Sequence, residues 1–463
     1  MRSSANRCSL FHRLGCTLLL CGLTSAVVGA QGAVRPGGRD VAILTLSGLT
    51  AVDDNGGVQE VVDVRDPQYQ NVQVYSVLSA AVLLNPQHEK VQWFLGASTG
   101  VRHYASLHEF SPSGQTLSAG LSFPLDGRTT VSLSESASYS PTYSLTPFFA
   151  GAQPQFGGAP GQFGGTQAQF GGPQGQFGLD ALPAGLDYGV ARSPNFYTST
   201  SLSISRSLTA RGSVSAAYTL NRMAFTSSNE TAPNLSSSNA SARFTYRLTR
   251  DASVHAGYGR RLGQYDFVFG EQNARVDDYD FGVDYSRALS LRPSRQTTLT
   301  FATGSSIYRD FGGRHYAFTG SANLMRRFGR RNQFDLNYSR GLGFYQGLLT
   351  PVFTDTVSAN GLFALSRRLR LSSSMGYVFG NVINNIESHT RQDNYGAWIG
   401  TGQFAMMLTQ RAWLEAGYTY YQHNVGDAVQ LLGNLPSRQH RQMLYVGLSV
   451  GVPLLTERSR TRR

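Results

Sequence analysis

Ala240-Ser241-Ala242-Arg243-Phe244-Thr245-Tyr246-Arg247-Leu248 places Ala240, Ala242, Phe244, Tyr246 and Leu248 at every second position, with Ser241, Arg243, Thr245 and Arg247 between them. In extended backbone successive side chains point to opposite sides, so this stretch has one oily face and one wet face. The rhythm recurs along the chain. Tyr279, Phe281, Val283 and Tyr285 alternate with Asp280, Gly282, Asp284 and Ser286, and Phe334, Leu336 and Tyr338 with Asp335, Asn337 and Ser339. Leu414, Ala416, Tyr418 and Tyr420 oppose Glu415, Gly417, Thr419 and Tyr421, and Leu444, Val446, Leu448 and Val450 oppose Tyr445, Gly447, Ser449 and Gly451. Helical spacing is almost absent after Val41.

A soluble β-sandwich alternates too, but with shorter strands. These runs reach about 10 to 15 residues, and a strand tilted across a bilayer needs roughly 9 to 11. Short polar turns stand at every second junction: Asn85 to Glu89, Leu125-Asp126-Gly127-Arg128, Thr209-Ala210-Arg211-Gly212 and Arg250-Asp251. Pro293-Ser294-Arg295, Gly329-Arg330-Arg331-Asn332, Ser366-Arg367-Arg368 and Thr409-Gln410-Arg411 continue the series. Between them lie more variable connections, including Ser106 to Gly114, Ser140 to Asn195, Thr226 to Ser238, Asn381 to Gln392 and Gly426 to Arg438. That alternation is expected of periplasmic turns and extracellular loops in an all-β, transmembrane, antiparallel up-and-down barrel.

Both termini on one side require an even number of strands. Counting runs, with Val41 to Asp53 as the first, predicts about 18 strands, with 16 as the alternative, and a barrel of that size keeps an aqueous lumen.

The first residues have the parts of a secretory signal. Arg2, Arg7 and Arg13 precede the apolar run Leu14 to Leu23, and Val28-Gly29-Ala30 offers a cleavage site before Gln31. The expected layout is therefore a signal peptide over 1–30, a short periplasmic leader over 31–40, the barrel over 41–453 and a basic tail over 454–463. A lipoprotein would use Cys21, but Leu20 is larger than such a site prefers. Cys8, Cys16 and Cys21 all lie in the leader, so a disulfide, zinc cluster or cysteine nucleophile is not expected in the mature chain. Of the formal charge of +12, the leader contributes three arginines and no acid, and Arg458, Arg460, Arg462 and Arg463 crowd the last residues, so the core is less basic than the total suggests, and it lacks the aromatic-interleaved stripe of a nucleic-acid binder.

The long 141–195 connection, expected to be extracellular, carries Gln-Phe-Gly at Gln155, Gln162, Gln169 and Gln176, a repeat every seven residues. Its glycines disfavour a helix. It reads as a surface loop in which Phe156, Phe163, Phe170 and Phe177 either stay solvated or fold into the mouth or onto a partner.

No catalytic constellation stands out, no cofactor or metal site is expected, and the chain does not read as an enzyme. His103, His108, His255, His315, His389, His423 and His440 are scattered over different runs. Asp54-Asn55-Gly56 and Asp277-Asp278 resemble calcium-loop ligands only loosely, and a solvated loop is the expectation for both. The polar faces are more informative. If they line water, Arg243, Arg247, Arg261 and Arg370 stand in the lumen opposite Asp280, Asp284, Asp335 and Glu415. Opposed charge rows select ions or polar solutes, with weak anion preference expected from the local arginine excess; paired as wall ion pairs, they select nothing. Arg260 and Arg340 fall on the lipid-facing parity, tolerable near an interface. Aromatics, 11 per cent of the chain, gather at run ends such as Trp93, Phe379 and Trp398, as interfacial girdles do.

Taken together, the leader, Val41-Ala42-Ile43-Leu44-Thr45-Leu46-Ser47-Gly48 leading to Asp53-Asp54-Asn55, and the hairpins to Val452 resemble the porin-like outer-membrane β-barrels of Gram-negative bacteria, some of them linked to exopolysaccharide secretion. The resemblance spans nearly the whole mature chain and transfers no individual residue. It implies the cell outer membrane, with outer-membrane lipid and the assembly machinery as partners. Its function would be passive or weakly selective passage of small hydrophilic solutes; a structural or polysaccharide-export component and a surface adhesin are the alternatives. One departure is the basic tail after Val452-Pro453-Leu454-Leu455, where such barrels often end on an aromatic residue. A TonB-dependent transporter fits less well, since only about forty residues precede the barrel, too few for the folded plug of that class. Oligomeric state is not legible.

Overall fold

The computed structural model describes residues 40–54, 73–86, 91–104, 109–112, 114–141, 143–144, 189–191, 194–225, 234–267, 270–292, 295–310, 313–328, 331–343, 352–382, 394–425 and 438–456. The strands are β1 (Asp40–Asp53), β2 (Gln73–Leu84), β3 (Gln92–Tyr104), β4 (Glu109–Pro112), β5 (Gln115–Pro124), β6 (Thr129–Ser140) and β7 (Tyr143–Ser144). Next come β8 (Gly189–Ala191), β9 (Asn195–Ser207), β10 (Gly212–Phe225), β11 (Asn234–Arg247), β12 (Ala252–Phe267), β13 (Gly270–Arg292) and β14 (Arg295–Asp310). The series ends with β15 (Gly313–Phe328), β16 (Asn332–Gly343), β17 (Val352–Ala364), β18 (Leu369–Val382), β19 (Asn394–Met407), β20 (Ala412–Val425) and β21 (Arg438–Thr456).

Every neighbouring pair is antiparallel, and the ladder closes: β1 pairs with β2 on one side and with β21 on the other. β4 and β5 both pair with β3 and fill one place between them, so the 19-stranded sheet is a ring of 18 strands. Strands β7 and β8 stand apart as a small hairpin at the two ends of the long insert. Phe156, Phe163, Phe170 and Phe177, like the leader and the 457–463 tail, lie outside the described residues. The last strand continues past Pro453, which pairs with Ile43, and reaches Thr456.

The two faces follow from the register. In a single-layer ring only the concave face can be covered by its own neighbours. Over residues 47–53 of β1 and 441–449 of β21 the buried residues are Ser47, Leu49, Ala51 and Asp53 with Arg441, Met443, Tyr445 and Ser449, whereas Leu444, Val446, Val452 and Leu454 are exposed. The same split holds round the ring, with Leu78, Val101, Leu117, Leu202, Phe244, Phe281, Phe318 and Phe404 exposed on the convex parity. A belt of exposed large apolar side chains is what a lipid-facing surface requires.

The short turns repeat one device. Thr209 Oγ1 accepts hydrogen bonds from the amides of Arg211 (3.2 Å) and Gly212 (2.8 Å), and Thr249, Ser366 and Thr409 do the same two and three residues on. Asp126 accepts from Arg128 at 2.7 Å and Thr129 at 2.6 Å. The Arg128 amide and the Thr129 hydroxyl hold the Asp126 carboxyl below its ordinary pKa. Its contribution to this turn is therefore complete above the usual carboxylate range and lost as pH falls through the lowered value. The third turn residue also ties one hairpin to the next: the carbonyls of Arg128, Arg211, Arg368 and Arg411 accept from Ser207, Arg247, Met407 and Gly451 at 2.7–2.9 Å. A short hydroxyl or carboxylate followed by arginine thus closes a hairpin and registers its neighbour.

The lipid-facing assignment of β21 has a direct test. Val446→Arg, ten residues from the strand's short-turn end, should cost about 2–4 kcal/mol of folding stability in vesicles, and Leu454→Arg near that end about 0–1 kcal/mol. Urea titration in phospholipid vesicles measures both; equal costs would mean that β21 does not cross the bilayer as its register implies.

Candidate functional site: the lumen wall

The concave face carries two charged clusters on opposite walls. In ring order β13 is nine strands from β1 in either direction.

On the β11–β14 wall, Arg243 Nε lies 2.9 Å from Asp280 Oδ2, and His255 Nε2 lies 2.9 Å from Asp280 Oδ1. Glycines make room for this group. A Cβ on Gly282 would stand 2.9 Å from His255 Nε2 and 2.5 Å from the Thr303 carbonyl, so any side chain there displaces the histidine or the ladder. One layer further toward the long loops, Arg261 grips Asp278 in a fork, Nε to Oδ2 at 2.6 Å and Nη2 to Oδ1 at 2.7 Å. Ser306 donates to the same Asp278 carboxylate, and Arg261 Nη1 donates to the carbonyl of Leu342.

That last contact crosses from β12 to β16 and marks an irregularity in the ring. The β15–β16 ladder ends at Gly320↔Arg340, although β15 stays paired with β14 up to Gly313 and β16 with β17 up to Gly343. Leu342 has the convex parity of Tyr338 and Arg340, yet it is only 2% exposed and packs with Ala274, Val276 and Tyr308, which have the concave parity of β13 and β14. The two observations agree only if the β16–β17 tip folds inward and lays its outer face on the inner face of β13–β14. Phe353 packs against the same cluster, with the Arg340 guanidinium 4.8 Å from its ring centre. The tip therefore narrows the lumen on its long-loop side.

The facing wall is built from β20, β21, β1, β2 and β3. Arg441 reaches Asp53 through Nε (2.9 and 3.1 Å) and Nη2 (2.5 Å), and both residues are almost wholly buried. Beside them Arg102 lies over Tyr75 at 5.0 Å and Tyr104 at 5.8 Å, donates to the Tyr104 hydroxyl at 3.0 Å, and borders an inner apolar patch of Leu49, Ala51, Val77, Met443 and Tyr445. The Tyr75 hydroxyl donates to Met443 Sδ at 3.0 Å.

The remaining sequence candidates take separate places. Glu415 is buried on the inner face of β20, accepting from Gln403 at 3.0 Å and Ser449 at 3.4 Å. Arg370 lies over Trp413 at 5.0 Å, nearer the short-turn side. Asp335 accepts from Gln333 at 2.7 Å. Arg247 is exposed beside the β11–β12 turn. Asp284 pairs with Ser253 in the ladder, and its side chain lies outside the described ones. Arg243 and Arg261 thus come together with Asp280 and with Asp278, which the candidate set lacked; Arg370, Asp335 and Glu415 belong to neither group.

Two sequence readings change. Asp277 and Asp278 are not in a solvated loop: both lie within β13 and are 2% exposed. They face opposite sides of the sheet, Asp278 toward Arg261 and Asp277 outward, where it accepts from the Tyr258 hydroxyl (2.8 Å) and Arg275 (3.1 Å), so they do not chelate one ion. The Asp53–Arg441 pair and the Leu342 contact were not anticipated. Asp53 ends the first alternating run and Arg441 precedes the last, and a closed ring makes those two ends neighbours. That was the available signal.

No protein-family model matches the chain, and no curated protein matches it in sequence. Solved structures to which it is similar include Pseudomonas aeruginosa OccK11 (OpdR), at 12% identity and a TM-score of 0.41 over 89% of this chain and 96% of that one. Pseudomonas aeruginosa OpdL is similar at 12% identity and a TM-score of 0.41 over 90% and 99% of the two chains. The siderophore receptor PirA from the same organism is similar at 10% identity and a TM-score of 0.39 over 90% and 81%.

Removing one partner of a buried ion pair leaves a charge uncompensated, a loss of about 3–5 kcal/mol where water is excluded. Asp53→Asn should therefore lower the urea midpoint well beyond what Asp335→Asn does, and Asp53→Asn combined with Arg441→Gln should recover part of the loss. Equal shifts for Asp53→Asn and Asp335→Asn would show that the pair does not hold the seam. By its own ladder the chain, over the described residues, is a closed β-barrel of eighteen antiparallel strands, apolar on the outside and predominantly polar within.

Proposed function

We propose that the chain is an outer-membrane channel for passive, weakly selective passage of small hydrophilic solutes, its bore reduced by the inward fold of the β16–β17 tip. The observation that carries this reading is the closed ring itself. Eighteen strands enclose more volume than wall side chains can fill, the convex face is greasy, and the concave face presents serines, threonines and charged groups. Passage needs no binding energy in such an interior, only a hydrated path.

Selectivity by charge is expected to be weak, because the strongest candidates neutralise each other. Arg243 and Arg261 are held by Asp280 and Asp278 at 2.6–2.9 Å, so their fields fall off as dipoles across the lumen. The exposed Arg247 tilts the balance toward anions. Size exclusion at the tip is then the main filter.

Purified protein in planar bilayers should give discrete conductance steps and, under a salt gradient, a reversal potential with a small anion preference. Arg261→Ala removes the guanidinium that holds the Leu342 carbonyl and should raise conductance and open-channel noise. No cysteine lies beyond residue 30, so Val276→Cys with Leu342→Cys can be oxidised to pin the tip. That cross-link should return the noise to the wild-type level even with Arg261→Ala present. Folded, heat-modifiable protein without conductance, or with clear cation preference, would contradict the respective part of this reading.

A further inference from the structure

The short-turn rim repeats more than a hydrogen-bonding pattern. Leu125-Asp126-Gly127-Arg128, Leu208-Thr209-Ala210-Arg211, Leu365-Ser366-Arg367-Arg368 and Leu408-Thr409-Gln410-Arg411 share leucine first and arginine fourth, and Leu248-Thr249-Arg250-Asp251 shifts the arginine by one. The first residue of each motif continues the convex, lipid-facing parity of its strand, and all five leucines are 45–62% exposed. The arginines beside them are exposed as well. In these five turns the acids are Asp126, whose carboxylate is taken by two backbone amides, and Asp251, next to Arg250. The motifs stand on turns from β5–β6 round to β11–β12 and again on β17–β18 and β19–β20, so they are distributed about the ring rather than gathered in one patch.

We propose that this rim is a collar for anionic glycerophospholipid headgroups in the leaflet that meets the short turns. Each leucine enters the edge of the acyl layer, and the arginine two or three residues on stands at phosphate level, where its planar fork matches a phosphate. A soluble protein partner would meet one sector of the rim, whereas lipid meets an outward-facing circumference. The cationic excess favours lipids with net negative charge over zwitterionic ones, whose ammonium groups compete for the same phosphate. The inference uses the reading that the barrel spans a membrane and is independent of whether it conducts.

The chain supplies its own reporter. Of its three tryptophans, Trp93 is exposed on the convex face at the short-turn end of β3, paired with Leu121 in the strand that leads to Arg128. With Trp398→Phe and Trp413→Phe as background, refolding into phosphatidylcholine vesicles containing a fixed fraction of brominated phosphatidylglycerol or brominated phosphatidylcholine measures which lipid sits beside Trp93. Brominated phosphatidylglycerol should quench more strongly, and Arg128→Gln should cut that preference by roughly fivefold or to none, the yield of one interfacial cation. Arg128→Lys, which keeps the charge, should retain it, and molar salt should weaken it in both. Equal quenching by the two lipids, or a preference unchanged in Arg128→Gln, Arg211→Gln, Arg368→Gln, Arg411→Gln protein, overturns the collar, while the spanning barrel stands. Absence of quenching by either lipid removes the collar together with the spanning barrel.

Discussion

A backbone amide in hydrocarbon finds no water, so a sheet that crosses a bilayer must have no bare edge. Everything else in this molecule follows from that demand. The first and last strands, some four hundred residues apart in sequence, pair from Asp40↔Thr456 to Asp53↔Met443. Asp53 and Arg441 add a buried ion pair at the long-loop end of that seam. A buried pair is weak evidence for net stability, since desolvation offsets much of its attraction. Its value here is specificity of register. A slip of one residue would put one of the two charges on the lipid side and leave the other without its partner, so the pair penalises such a misaligned closure far more than it stabilises the correct one.

A place where a ladder stops early shows the same demand met differently. Above Gly320↔Arg340 the β15–β16 pairing ends, and the β16 end is covered rather than left at the circumference. Folding inward buries Leu342 against Val276 and Tyr308, and Arg261 takes up the Leu342 carbonyl. A fixed guanidinium is well suited to this, because its Nε and Nη2 are already committed to Asp278 and its Nη1 is left aimed at the tip. The side chain thereby joins the wall to the element that narrows it, so constriction and wall stability share one residue.

How much of this was written in the sequence depends on range. Alternation at period two reports only which face a residue takes, and it placed Arg243, Arg261, Asp280 and Glu415 on the face that proves concave. The number of strands followed because turns and loops alternate, a local signal repeated many times. Pairing across the sheet is not local, and so was not legible: nothing near Arg243 says that its partner is Asp280, two strands away. Asp277-Asp278 looked like a loop because adjacent carboxylates suit solvent, and β13 carries them only because Arg261 and Tyr258 wait on opposite faces. Leu342 kept the parity of a lipid-facing residue, and only the end of a neighbouring ladder reveals that it is turned inside.

These ranges also explain why charge sits where it does. An arginine on the inner wall of a wide barrel has two ways to lower its energy: water in the lumen, or a carboxylate on a neighbouring strand. Near the long-loop side the apolar patches at Tyr75–Met443 and at Val276–Leu342 exclude water from the wall, so Arg441 and Arg261 are each matched by an aspartate, at 2.5 and 2.6 Å. Near the short turns the wall is open, and Arg247 is exposed. Full pairing of ions is therefore a consequence of local drying, and the drying is a consequence of the same inward packing that narrows the bore. The inner wall thus divides into an exposed arginine near the short turns and ion pairs matched beside apolar packing near the long loops.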